Sequence, residues 1–311
     1  MKFSRLLLLL LIIPGPIFAQ AFLYIPESTQ QGEPFPMLFS WRESTDGATL
    51  RLTDPNGRVV AATGSFPVPL PGNGWIYAGL LGIPSTAEPG TYRILLSESR
   101  RGGEVLLEKD IVVEKKQFLR EDIPLTYALS ELRQSDDPRK VEEALELRKI
   151  VRHFDPESFY HPGTHINPLP EHRVTSFFGD RRRYHYTDQQ EASAIHNGID
   201  LAAPIGSSVH ASAAGKVVFA GNRIITGNSI VIEHLPGLFS LYYHLESVLV
   251  EPGDLVEQGR VIGTVGMTGL ATGPHLHWEL RASGVAVNPT TFLEHPLIDK
   301  ESIIGNIDWK P

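Results

Sequence analysis

His275-Leu276-His277 stands near the C-terminus, and about eighty residues upstream stands His196-Asn197-Gly198-Ile199-Asp200. Imidazole and carboxylate are zinc donors. Three of these four side chains would make up the number that a catalytic zinc takes from protein, with a fourth position left for water; a closed structural site would take all four. His275 and His277 are two apart and share a face on a strand, and on a strand so do His196 and Asp200, four apart. Gly198 and Pro204 surround the first pair, and Gly269, Gly273 and Pro274 precede the second, neighbours that favour strand over helix. A helical zinc site reads H-E-x-x-H, and that string does not occur. The expectation is a zinc site built on neighbouring strands.

The elements that must position these residues emerge from the rest of the pattern. From Val174 to about Phe292, strand signals alternate with glycine turns. Between the two histidine pairs lies Leu241-Tyr242-Tyr243-His244-Leu245, an apolar run in which a regular strand would put Tyr242 and His244 on one face. Residues 22–116 read as short strands: Pro34–Phe39, Thr49–Leu52, Thr91–Leu96 and Ile111–Val113 alternate or run apolar. Asp54-Pro55-Asn56-Gly57 and Glu88-Pro89-Gly90 are turns, since proline presets φ and glycine tolerates positive φ. Regular short strands of this kind predict a small Ig-like β-sandwich.

Between them, residues 117–170 predict a helical connector. Ser135 or Asp136 caps a helix with Pro138 in its first turn. Val141, Leu145, Ile150, Val151 and Phe154 supply its apolar face, and residues 161–170 are proline-rich and extended. The fold class expected is mainly β: an N-terminal sandwich, the connector, an antiparallel-β domain over 171–298 and a tail at 299–311.

The N-terminus bears on the compartment. Lys2 and Arg5 precede the apolar run Leu6–Ile13, and Ala19-Gln20-Ala21 supplies small residues for cleavage after Ala19 or Ala21. Residues 1–21 therefore read as a secretory signal peptide, too short in its apolar core to span a bilayer. No cysteine occurs in the chain, which leaves histidine and carboxylate as zinc ligands and makes the hydrophobic core the source of stability. A net charge of −8 and the lack of a basic tract argue against nucleic acid as a partner. No further transmembrane candidate lies beyond the signal.

The order of motifs is Phe177-Phe178-Gly179-Asp180-Arg181, then His196-x-x-x-Asp200, then Tyr242-x-His244-Leu245, then Gly273-Pro274-His275-Leu276-His277. In that order they resemble the M23 (lysostaphin/LytM-type) zinc endopeptidases of bacterial cell walls, over Val174 to Pro289. The resemblance implies one zinc held by His196, Asp200 and His277. It places His244 and His275 beside the metal-bound water and the scissile carbonyl, one as general base and one toward the oxyanion. It implies a tyrosine from the loop before the first ligand, Tyr184 or Tyr186, and structural roles for Arg181 and Asn288-Pro289. Two neutral imidazoles and one carboxylate leave zinc a net charge of about +1, enough to bring bound water towards a pKa of ~7. Zinc-dependent hydrolysis of peptide cross-links in peptidoglycan, in the periplasm or cell envelope, is the function implied. A relative that has lost its ligands and only activates a cell-wall amidase is the alternative, and it is disfavoured because all three ligand positions are intact. The connector or residues 161–170 could also hold such an enzyme latent.

Other readings weaken on inspection. His153, His161, His165, His172, His185, His210, His234 and His295 have no such context and read as packed or surface residues. The glycines at 259, 263, 266, 269 and 273 lack a following Gly-Lys-Ser/Thr and so do not make a phosphate loop. Ala214–Val218 and Glu251–Gly259 resemble halves of a biotinyl or lipoyl carrier, but no lysine lies between Val217 and Asp299 to accept the cofactor.

Overall fold

The computed structural model describes residues 23–39, 47–69, 75–98 and 105–296. The expected signal peptide at 1–21 and tail at 299–311 lie outside the described residues. The described residues up to Lys115 form one compact unit, and Lys116–Pro296 form a second.

The first unit holds β1 (Leu23–Tyr24), β2 (Ser28–Gln30), β3 (Pro34–Phe39), β4 (Ala48–Thr53), β5 (Val59–Gly64), β6 (Phe66–Pro69), β7 (Trp75–Gly82), β8 (Gly90–Glu98) and β9 (Val105–Glu114). One sheet runs β1-β3-β7-β6 and the other β2-β9-β8-β4-β5. Alternation sends Tyr92, Ile94 and Leu96 of β8 inward with Leu50 and Leu52 of β4, to meet the face of the other sheet that carries Phe35, Met37 and Leu81. Each such large side chain contributes about 1.5–3 kcal/mol by burial. The sheets approach closely at Gly79, where an added Cβ would stand 2.7 Å from Leu50 Cδ1. The expected turn at Asp54 forms: its Oδ1 accepts from the backbone N–H of Asn56 and Arg58, both at 2.9 Å, and Gly57 has φ 78°.

The second unit opens with β10 (Arg120–Pro124), α1 (Tyr127–Gln134) and α2 (Pro138–Ile150). Next along the chain are β11 (Arg173–Ser176), β12 (Arg181–His185), β13 (Glu191–Ile195), β14 (Ile199–Ala202), β15 (Ser208–His210), β16 (Gly215–Arg223), β17 (Gly227–Leu235) and β18 (Leu238–Val248). Then come β19 (Leu255–Val256), β20 (Val261–Val265), β21 (His275–Ala282), β22 (Val285–Val287) and α3 (Thr290–Glu294). The main sheet is antiparallel in the order β11-β14-β21-β18-β17-β16-β19, with β20 joining β18 to β15 and β22 on β21. Pro236-Gly237 turns β17 into β18, with Gly237 at φ 78° as such a turn demands.

This sheet has two faces of different chemistry. Trp278 and Leu280 of β21, Tyr242 of β18 and Ile230 of β17 are buried on one. His277, Glu279 and Arg281 lie on the other, alongside Tyr243, Leu241 and Phe239 of β18. Part of that second face is covered by α2, whose Leu147 and Ile150, with Val151 just beyond, pack on Val231, Phe239, Leu241 and Tyr243.

Three local features differ from the sequence expectation. Asp137, not Ser135 or Asp136, caps α2, its carboxylate accepting from Arg139 N–H at 2.9 Å with Pro138 as the first helical residue. Val141 and Leu145 are 63% and 59% exposed, so the packed stripe is confined to the helix's C-terminal end. A further strand, β10, pairs in parallel with β12, which pairs with β13 in a small separate sheet. Arg-Glu-Asp-Ile-Pro shows no apolar alternation because its side chains meet charged partners: Glu121 lies opposite Arg182, and Asp122 bonds His185 at 2.7 Å. Residues 161–170 are fastened by backbone bonds to His234, Ser212, Phe292 and His210, none of which belongs to the predicted site.

Candidate metal centre

Asp200 on β14 and His277 on β21 are direct cross-strand partners, so the sheet register alone brings their side chains together. His196 reaches them from the turn between β13 and β14, not from the strand that carries Asp200; its backbone is tied to Asp180 and Gly179. The tight approach depends on Gly198. A Cβ there would collide with the Trp278 carbonyl and stand 2.8 Å from His277 Nε2. One donor atom each from His196, Asp200 and His277 lies within 4.8 Å of the others, and all three residues are buried.

Hydrogen bonds identify the donor atoms. His196 Nδ1 stands 2.8 Å from the Phe177 carbonyl, so its N–H is committed there and Nε2 faces Asp200 Oδ1 at 3.0 Å. His277 Nε2 stands 3.0 Å from Glu279 Oε1, which leaves Nδ1 facing His196 Nε2 at 2.9 Å and Asp200 Oδ1 at 2.8 Å. Two imidazole nitrogens and a carboxylate oxygen thus converge with the outer hydrogen bonds of both rings already made, and with the inner nitrogens deprotonated they are the donor set a divalent cation requires. Burial opposes charge on His277, yet hydrogen bonds to Asp200 and Glu279 outweigh it and hold its pKa up to about 9. Burial also pushes the Asp200 carboxyl up, but bonds from His196 and His277 hold it well below the usual carboxylate range. The pocket therefore stabilises positive charge between Asp200 and His277, and a divalent cation at these atoms would supply it.

The remaining two predicted histidines border this cluster. His275 bonds the Gly273 carbonyl through Nδ1 at 2.8 Å, and its Nε2 stands 3.6 Å from Asp200 Oδ1. His244 bonds the Thr268 carbonyl through Nδ1 at 2.8 Å, and its ring centroid is 4.8 Å from that of His275. Burial lowers both; His244, with His275 and His277 beside it, falls to about 3.

His244 arrives by a backbone distortion that the strand pattern did not predict. Tyr243 stacks on His277 with centroids 5.4 Å apart, so regular alternation would turn His244 to the opposite face with Tyr242. Instead Ile230 pairs with Tyr242 while Asn228 pairs with Leu245, a bulge that opposes two residues of β18 to one of β17. His244 takes φ 61° there and enters the site beside Tyr243, whereas Tyr242 turns away and accepts the Ser212 N–H at 2.8 Å. A left-handed histidine costs about 1–3 kcal/mol, a strain of the kind found at functional positions.

Several residues around the cluster were not among the sequence candidates. Glu279 holds His277 and is itself gripped by Arg281, through Nε at 2.8 Å and Nη2 at 2.6 Å. The signal was available in outline, since 275, 277, 279 and 281 share one strand face. Arg182 bonds Asp200 Oδ2, and Ser176 Oγ lies 3.1 Å from His196 Nδ1. Both expected tyrosines are engaged by Arg133 of α1, which stacks 4.2 Å over the Tyr184 ring and donates to Tyr186 Oη at 2.9 Å. Arg181 lies over the Phe118 ring and bonds the Gly179 carbonyl, and Asn288 Oδ1 accepts from Thr290 at the start of α3.

Residues 194–289 match peptidase family M23. The DD-carboxypeptidase/endopeptidase Mpg of Neisseria meningitidis is 43% identical over 129 residues, covering 42% of this chain and 29% of that protein. The peptidoglycan DD-endopeptidase ShyC of Vibrio cholerae is 40% identical over 125 residues, 40% of this chain and 28% of that one. The chain thus spans less than a third of the length of these curated relatives. A solved structure from Pseudomonas aeruginosa assigned to peptidase M23 is 25% identical with a TM-score of 0.51, over 83% of this chain and 92% of that one.

Proposed function

We propose, from the match of residues 194–289 to peptidase family M23, that the chain is a zinc-dependent endopeptidase hydrolysing the peptide cross-links of bacterial peptidoglycan. The observation that carries this reading is the convergence of His196 Nε2, Asp200 Oδ1 and His277 Nδ1 within 4.8 Å, bordered by two further histidines whose Nδ1 atoms are occupied. His196, Asp200 and His277 would hold the zinc, which supplies Lewis acidity toward the peptide carbonyl and the attacking water.

The chain's own groups then handle the proton. His244 and His275 each have Nδ1–H anchored on a carbonyl, so each presents an Nε2 lone pair. Their burial keeps both neutral before the reaction and makes either, once protonated, a strong acid. With rings 4.8 Å apart the two resist double protonation. One of them takes the water's proton and delivers it to the departing amine, and an imidazolium so formed also stabilises the developing oxyanion.

The substrate matches the named activity of the relatives: the D,D bond of a peptide cross-link, with trimming of uncrosslinked stems as an additional activity of the Mpg kind. Residues 1–21 serve as the export signal and the site of action is the periplasm or cell envelope; no helix among the described residues is long and apolar enough to cross a membrane. The sandwich before Lys115 serves as a docking or positioning module for an unidentified wall component.

The test is incubation with purified sacculi, with and without a chelator, and mass spectrometry of the released material. Chelator-sensitive fragments carrying a new amine end inside the cross-link are expected. Loss of only a terminal residue from uncrosslinked stems would reassign the chain as a carboxypeptidase. No fragments, with stimulation of an added amidase, would replace the enzyme by an activator.

A further inference from the structure

One group of part-buried charges beside the cluster has no place in the ligand set or in the proton transfer. Arg182 on β12 donates through Nη2 to Asp200 Oδ2 and to Ser176 Oγ at 2.7 Å, and through Nε to Glu121 Oε2 at 2.9 Å. Ser176 Oγ in turn donates to Glu121 Oε2 at 2.9 Å and stands 3.1 Å from His196 Nδ1. The Arg182 side chain is only 13% exposed. Glu121 lies directly opposite it across the parallel β10–β12 pair. Both residues precede the family-matched segment 194–289, so they belong to a part of this chain that the family match does not describe.

We infer that Glu121 and Arg182 are positioning residues of the metal centre: Arg182, oriented by Glu121 and Ser176, occupies Asp200 Oδ2 and so presents Asp200 to the cation through Oδ1 alone. This inference rests on the metallopeptidase reading above. A carboxylate has two oxygens available to a cation, and a ligand free at both can bind through either or through both. Here Oδ1 faces His196 and His277 at 3.0 and 2.8 Å, while Oδ2 is taken by the guanidinium. The planar fork matters as well as the charge. Nε and Nη2 are fixed by Glu121 and Ser176, so the group cannot rotate away from Asp200, a constraint that a lysine ammonium would not reproduce. Ser176 extends the arrangement to His196, so β10 reaches two of the three ligands through one hydrogen-bonded group.

The full chain tests this through zinc affinity, by competition with a chelating dye, and the visible spectrum of the cobalt(II)-substituted protein. Melting of the metal-stripped protein is read alongside. Arg182→Gln is expected to weaken zinc binding about 10–100-fold, the loss typical of removing a group that orients a ligand. Its cobalt bands should shift and weaken as Asp200 gains freedom to bind through both oxygens. Arg182→Lys should recover part of the affinity, and Glu121→Gln should lose affinity in the same direction but less. Variants that melt lower yet keep the parent's zinc affinity and cobalt spectrum overturn the inference, because the group would then only clamp β10 to β12. If Arg182→Gln does not fold, Glu121→Gln decides by the same criterion. A parent chain that takes up no zinc overturns the metallopeptidase reading itself, and this inference with it.

Discussion

At the residue scale, the two histidines of His275-Leu276-His277 hold different positions although they share a strand face. His277 is clamped between Asp200 and Glu279, whereas His275 keeps Nε2 toward the pocket and is anchored only at Nδ1. Substituting them should therefore separate metal binding from turnover. His277→Ala is expected to lose stoichiometric zinc, read by metal analysis of the purified protein. His275→Ala and His244→Ala are expected to keep zinc near the parent level while hydrolysis falls about 10²–10⁴-fold, the usual range for a lost acid–base group. Full zinc retention by His277→Ala would refute the ligand assignment. Gly198→Ala is a third test. Its methyl has nowhere to go between the Trp278 carbonyl and His277 Nε2, so zinc affinity and activity should both fall although no ligand is changed. The sequence made the five candidate residues legible because histidine and aspartate at short spacings carry their chemistry openly. It did not disclose Arg182 or Glu121, because their relation to Asp200 arises only from strand pairing between segments that sequence spacing does not connect.

At the element scale, periodicity located strands well and assigned faces less well. Leu276, Trp278 and Leu280 alternate cleanly with His275, His277 and Glu279, and β21 behaves as its pattern predicts. In β18 the same rule puts His244 on the wrong face, because a bulge at Tyr243–His244 interrupts the alternation and no glycine marks the positive φ. β10 was invisible for the converse reason: its partners are charges, so it lacks an apolar stripe. For α2 the 3.6-residue pattern was present, but only its last turn places apolar side chains on the buried cluster of the sheet. That distinction is measurable by denaturant unfolding. Val151→Ala, losing buried methyl groups against Phe239 and Leu241, should cost about 1–3 kcal/mol. Val141→Ala and Leu145→Ala, at exposed helical positions, should stay within about 0.5 kcal/mol. Equal losses at all three would mean that the outer stripe of α2 is covered in solution.

At the scale of the whole molecule, the segment between the sandwich and the strands that carry the His196-Asp200-His277 cluster behaves as part of the second unit. Sequence composition sets residues 117–170 apart from the strand-rich region beyond Glu171, since helix and proline replace strand and glycine. In the structure β10 lies in the small sheet with β12 and β13, and α2 covers Val231, Phe239 and Leu241 of the main one. A fragment beginning at Glu171 would lose Glu121 from Arg182 and leave those apolar side chains bare. A fragment of Lys116–Pro296 keeps both. The shorter fragment is therefore expected to melt lower, bind zinc more weakly and aggregate more readily, while the longer one should match the full chain in zinc content and in hydrolysis of a soluble cross-linked peptide. Their behaviour on intact sacculi separates the roles of the two units. If the sandwich docks the enzyme on the wall, Lys116–Pro296 should equal the full chain on the soluble peptide and fall behind it on sacculi. A longer fragment that gains activity on the soluble peptide would instead assign an inhibitory role to the residues before Lys116, since the segment at 161–170 is present in both and fastened to residues outside the site.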